Sequence, residues 1–160
     1  MKLGAIEAGG TKFVVGIGDE QGNIFKRESF PTTTPEETFE KVYAFFDQEE
    51  FEAIGVGTFG PIDLDPNSKT YGYITTTPKP HWAQVDFVGR LKERYHVPVA
   101  FDTDVNGAAL GELYHGGAKG LKSCLYLTIG TGIGGGAVVD GHLVHGLLHP
   151  EMGHILLKPH

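Results

Sequence analysis

Four groups of residues in this sequence have types and spacings that could do chemistry. Gly130-Thr131-Gly132-Ile133-Gly134-Gly135-Gly136 follows an apolar, β-branched run, Leu125 to Ile129, and leads at once into Ala137-Val138-Val139. Glycine takes positive φ without a Cβ penalty and lets backbone approach a ligand closely. Successive N–H groups in such a turn form a concavity suited to phosphate. Gly9-Gly10-Thr11-Lys12 repeats the device between two more apolar runs and adds a hydroxyl and an ammonium. Asp102-Thr103-Asp104-Val105-Asn106 sets two carboxylates and an amide at the end of a strand pattern, more than a helix N-cap needs. Glu151 and His154 lie three apart in Glu151-Met152-Gly153-His154, where both can face one ligand.

Two familiar phosphate motifs fail. Gly130 to Gly135 fits G-x-G-x-x-G, with Glu151 roughly 20 residues on, as in dinucleotide-binding turns. That fingerprint must open a helix. Here Ala137 to Val144 gives two short apolar runs around Asp140-Gly141, which is a hairpin signal. No G-x-x-x-x-G-K-[ST] occurs, so a P-loop is excluded as well.

The elements that must hold these groups read as follows. Leu3 to Ile6, Phe13 to Gly18 and Ile24 to Ser29 are strands, with a turn over Asp19 to Asn23. Thr34-Pro35-Glu36-Glu37 starts a helix, with Thr34 as N-cap, Pro35 at the first position and Glu37 closing a capping box. Phe39, Val42, Tyr43 and Phe46 form its apolar face, and the helix ends near Gln48. Ala53 to Thr58 is a buried strand running into Phe59-Gly60-Pro61. Asn67 to Trp82 is a long, proline-punctuated loop, a length that is usually functional or disordered. Trp82 either faces a sugar or caps the helix Val85 to Tyr95. Val97 to Phe101 is a further strand, near its edge because of Pro98. A helix follows Asp104, and Gly116 to Gly120 is the best boundary, giving a first domain over 1–117 and the start of a second over 118–160.

Composition narrows the partners. The 160 residues are 40% hydrophobic and 21% charged, which suits one globular domain or one and the start of another. The net charge of −7 lacks the basic footprint that nucleic acid or an anionic membrane requires. Cys124 is the only cysteine, so no intrachain disulfide can form, and it reads as a small buried hydrophobe. No run approaches the ~18–20 apolar residues of a membrane span. Met1-Lys2 leads straight into a strand pattern, so no signal peptide is expected, and a cytoplasmic protein follows.

Taken in order, Gly9-Gly10-Thr11-Lys12, Gly57-Thr58-Phe59-Gly60-Pro61, Asp104-Val105-Asn106 with Ala108-Ala109-Leu110-Gly111-Glu112, Gly130 to Gly136 and Glu151-Met152-Gly153-His154 resemble the ROK family of sugar kinases, repressors and open reading frames. The likeness is greatest to the bacterial fructokinase branch. It implies the α/β, actin-like ATPase (ribonuclease H-like) fold, with a β-β-β-α-β-α-β-α first domain and a second, similar one. By position, Gly9, Gly10, Thr11 and Lys12 would form one phosphate hairpin, and Gly130, Thr131, Gly132 and Gly134 another. Asp104 would be the catalytic base. Gly60, Thr103, Asp104, Glu151 and His154 would touch the sugar, and His154 would also be one ligand of a structural Zn²⁺. Glu7 would serve Mg²⁺.

Two positions depart from the family pattern: Glu7 stands where Asp is usual and Thr103 where Asn is usual. Glutamate can still reach Mg²⁺ through water, since that ion retains several waters. Family kinases are about twice as long, so the resemblance implies an N-terminal portion that is inactive alone, with the remaining zinc ligands and the adenosine-binding segment elsewhere.

The function implied is ATP-dependent phosphorylation of a hexose, D-fructose to fructose 6-phosphate first, with mannose, glucose and N-acetylmannosamine open. The expected partners are hexose and ATP, neither nucleic acid nor membrane, and a second copy in a homodimer. A sugar-binding repressor is the rival. Such relatives carry a winged helix before the first glycine hairpin, whereas here Met1 opens almost directly on the strand, and the acidic balance also opposes DNA.

Overall fold

Lys2–Ala8 (β1), Lys12–Asp19 (β2) and Ile24–Pro31 (β3) form an antiparallel meander. Ala53–Thr58 (β4) then pairs parallel with β1, and Val99–Thr103 (β7) parallel with β4. The sheet order is β3-β2-β1-β4-β7. This computed structural model describes residues 1–130, 132–146 and 149–156. The chain divides into two compact units, Met1–Asp104 and Val105–His160.

Pro35–Phe46 (α1) begins as its sequence dictates: Thr34 is the N-cap and its hydroxyl accepts the Glu37 N–H. Its buried face, Phe39, Val42, Phe45 and Phe46, packs on the sheet residues Ile6, Val15, Ile54 and Val56. Two residues of the expected loop form strand Tyr73–Ile74 (β5), paired antiparallel with Val85–Asp86 (β6). The next helix, Phe87–Tyr95 (α2), therefore starts two residues later than periodicity suggests, because the Asp86 carboxylate caps it through the Gly89 N–H at 2.7 Å.

Trp82 is neither sugar-facing nor a helix cap. It lies fully buried against Phe13, Phe39 and Phe59, with ring centroids 5.4, 6.2 and 5.6 Å away. Its Nε1–H donates to the Thr33 carbonyl at 2.8 Å. Aromatic contacts of this kind add about 0.5–1.5 kcal/mol each beyond area burial.

The second unit contains most of Asp104–Tyr114 (α3), then Cys124–Ile129 (β8), Ile133–Val139 (β9) and His142–Leu143 (β10), an antiparallel meander in the order β10-β9-β8. Asp140 and Gly141 have φ of 49° and 81°, the positive pair that an Asp-Gly hairpin turn needs. Ala109, Leu113, Ala118 and Val138 make its small core. Cys124 is half-buried beside it, its thiol donating to the Ala109 carbonyl at 3.6 Å. Met152–His154 is one 3₁₀ turn. Among the described residues no helix is long and apolar enough to cross a membrane.

Candidate functional site

Parallel pairing brings the carboxyl ends of β1, β4 and β7 to one edge. Ala8, Thr58 and Thr103 are register partners there. Ligands of open α/β sheets gather outside such ends. Immediately beyond them lie Gly9 and Gly10, the Phe59-Gly60-Pro61 turn, and Asp104 at the start of α3. The Phe59 N–H donates to the Ala8 carbonyl at 2.9 Å, and Pro61 O accepts both the N–H and the hydroxyl of Thr75. The Gly60 turn is thus tied at both ends.

One residue earlier, Glu7, Gly57 and Asp102 are also register partners, so both carboxylates leave the same sheet face on either side of a residue without a side chain. Gly57 is glycine for a reason: a Cβ there would sit 3.2 Å from the Asp104 Cα. The base candidate rests directly on β4. Asp102 accepts the Thr103 N–H at 2.7 Å, and Thr103 itself is buried beneath the edge.

The first glycine turn is a tight hairpin tip between β1 and β2. The Gly9 N–H donates to the Lys12 carbonyl at 3.0 Å, and a Cβ on Gly9 would meet that oxygen at 2.8 Å. At Gly10 nothing lies within 4 Å of the Cβ direction, and Gly10, Thr11 and Lys12 are exposed. An open turn with amide donors at its rim is what a phosphate requires.

The second glycine run is shorter as a loop than its composition suggests. Only Gly130 to Gly132 lie between strands, because Gly134, Gly135 and Gly136 belong to β9 and pair with Thr128, Leu127 and Tyr126. Their missing side chains make room for neighbours. A Cβ on Gly136 would lie 2.2 Å from the Val105 carbonyl oxygen, and one on Gly135 would lie 3.0 Å from the Met152 Cβ. Gly130 and Gly132 have open space where a Cβ would stand. Thr131 falls outside the described residues.

The 3₁₀ turn lies against the same hairpin, so close that a Cβ on Gly153 would strike the Ile133 carbonyl oxygen. It carries the predicted pair. Glu151 Oε2 stands 3.4 Å from His154 Nδ1, while Glu151 Oε1 meets Nε2 of His149 at 3.0 Å. His149 is buried and was not singled out by sequence reading; the signal available was its His-Pro-Glu spacing to Glu151. His154 is exposed, and its Nε2 lies on the far side of the ring from the atom that faces Glu151. Among the described residues no group of three or more His, Cys, Asp or Glu is placed to hold a metal ion.

Each unit therefore presents a strand–glycine turn–strand hairpin beside acidic side chains, on an actin-like ATPase α/β fold. The chain belongs to the ROK family, whose family model matches residues 3–160. Among relatives, a fructokinase of Lactococcus lactis subsp. cremoris is 54% identical over 157 residues, covering 98% of this chain and 53% of that protein. A fructokinase of Streptococcus mutans is 52% identical over 161 residues, covering 98% and 54%. A crystal structure of a ROK family glucokinase from Streptomyces griseus, in complex with glucose and AMPPNP, superimposes with a TM-score of 0.84 at 28% identity, covering 99% of this chain and 52% of that one. The chain spans about half the length of the curated relatives it matches.

Proposed function

We propose that the protein is an ATP-dependent hexose kinase, with D-fructose as its substrate and the 6-hydroxyl as the acceptor. The observation that carries this reading is the edge formed by Gly9–Lys12, Gly60 and Asp104 at the carboxyl ends of three parallel strands. The fructokinases at 52–54% identity support the choice of sugar. Glucose, mannose and N-acetylmannosamine are the alternatives; a glucokinase among the structural neighbours favours the first.

Phosphoryl transfer spreads charge over equatorial oxygens, so catalysis is mostly positioning and electrostatic stabilisation. In the first unit, the Gly10, Thr11 and Lys12 amides donate to ATP phosphate oxygens, and the Lys12 ammonium adds charge. In the second, the Gly130–Gly132 turn and the adjoining Gly134 do the same. Asp104 takes the proton from the attacking sugar hydroxyl, while Gly60, Thr103, Glu151 and His154 orient the ring.

Mg²⁺, when bound, neutralises phosphate charge. Glu7 suits a hydrated ion, since it is exposed on the sheet face beside side-chain-free Gly57. Zn²⁺ would take His154 Nε2 as one ligand, with Glu151 Oε2 3.4 Å from Nδ1 in the carboxylate–histidine–metal order. Among the described residues no group of three or more His, Cys, Asp or Glu is placed to complete such a site, so the remaining ligands are proposed to come from elsewhere. We further propose a homodimer in the cytoplasm, partnered by neither nucleic acid nor membrane.

The test is Asp104→Asn in the full-length protein. A positioned base contributes about 10²–10⁴-fold, so kcat should fall by that factor while both KM values change little. A near-normal kcat in that variant would remove Asp104 from the role.

A further inference from the structure

We infer that Thr32 is the positioning residue of the first phosphate hairpin, a role that rests on the kinase reading above. Thr32 follows β3 and is only 8% exposed. Its N–H donates to the Thr11 carbonyl at 2.9 Å and its hydroxyl donates to the Gly9 carbonyl at 2.7 Å. Two carbonyls of one four-residue turn are thus held by a single side chain and its own backbone.

The consequence follows from peptide geometry. In a planar trans peptide the C=O and the next N–H point in opposite directions. Anchoring Gly9 O and Thr11 O on Thr32 therefore turns the Gly10 and Lys12 N–H groups away from it. Those are amides that an ATP phosphate would use, and Gly10 has open space around it. Thr32 does not touch the phosphate. It sets which way the donors face.

The anchor is itself held. The Thr33 N–H donates to Thr38 Oγ1 of α1 at 3.1 Å, and the Thr33 carbonyl accepts Trp82 Nε1 from the aromatic core. Lys79 Nζ reaches the Thr32 carbonyl at 3.4 Å. The segment is fixed from three directions, so it can act as a rigid base for the turn.

Thr32→Val keeps the side-chain size and removes the hydroxyl donor, and Thr32→Ser keeps the donor. In the full-length protein, KM for ATP and the calorimetric Kd for Mg-ATP should rise about tenfold in Thr32→Val, the ratio equivalent to 1.4 kcal/mol. KM for the sugar should move less than about twofold, because the Trp82 contact persists, and Thr32→Ser should restore most of the ATP affinity. In wild type, Mg-ATP should slow hydrogen exchange at Gly10 and Lys12, a readout that stands even if Thr32→Val does not fold.

Unchanged ATP affinity in Thr32→Val, equal rises of the ATP and sugar KM, or unaltered exchange at those amides each overturns the assignment. A wild type that binds Mg-ATP but phosphorylates no sugar would overturn the kinase reading alone, and the Kd ratio would still decide the role of Thr32.

Discussion

Gly57 gives the sharpest steric prediction. Its missing Cβ would lie 3.2 Å from the Asp104 Cα, 3.5 Å from the Thr103 oxygen and 3.7 Å from the Asp104 nitrogen. A contact at that first distance is tighter than nine in ten real Cβ contacts, so Gly57→Ala requires Asp104 to give by a few tenths of an ångström. A misplacement of ~1 Å costs about 10² in rate, which scales to about three- to fourfold for the smaller shift. Gly57→Val adds two γ-carbons against the same backbone and should cost about 10². Steady-state kinetics on the full-length protein would read this as a fall in kcat, with KM for ATP unchanged, because the Gly9–Lys12 turn is held by Thr32 and not by β4. Wild-type kcat in Gly57→Val would refute the claim that Asp104 must sit at this spot.

Further perturbations address the fold that carries the site. Trp82→Phe removes the donor to Thr33 O and part of a fully buried ring, so chemical denaturation should show about 2–3 kcal/mol lost. A loss under about 0.5 kcal/mol would contradict the buried placement. Asp63 accepts the Ser68 hydroxyl at 2.5 Å, the Thr70 hydroxyl at 2.7 Å and the Asp65 N–H at 3.0 Å, and these bonds, Ser68 foremost, hold its carboxyl below the usual range. A lowered folded value stabilises above the unfolded carboxylate pKa of about 3.9 and is lost as pH falls through the folded value. Tm of wild type should therefore exceed that of Asp63→Asn at pH 7, and the gap should close below about pH 4; a gap independent of pH would contradict this.

What was legible in the sequence was local. The Thr34 N-cap with Pro35 behind it and the Asp140-Gly141 turn depend on neighbours a few residues away and stand as read, whereas the stripe of α1 holds at Phe39, Val42 and Phe46 but takes Phe45 into the core and leaves Tyr43 half-buried. The Gly9–Lys12 and Gly130–Gly132 turns were legible for the same reason. What escaped depends on distant partners. Trp82 is placed by Phe13, Phe39 and Thr33, which no spacing rule connects to it. Strands β5 and β6 have two residues each, too few to show a period. Gly134 to Gly136 look like loop, yet they lie in a strand whose neighbours Val105 and Met152 leave no room for side chains. Thr32 sits in a run of three threonines with nothing to distinguish it until its partners are seen.

Everything proposed for the site turns on phosphoryl transfer from ATP to a hexose. The most direct measurement is ADP release by the full-length protein with Mg-ATP and, separately, fructose, mannose, glucose and N-acetylmannosamine. Sugar-dependent release with the highest kcat/KM for fructose is the expected result. A different preferred sugar would keep the kinase and correct its substrate, and no sugar-dependent release with any of the four would rule out the hexose kinase proposed.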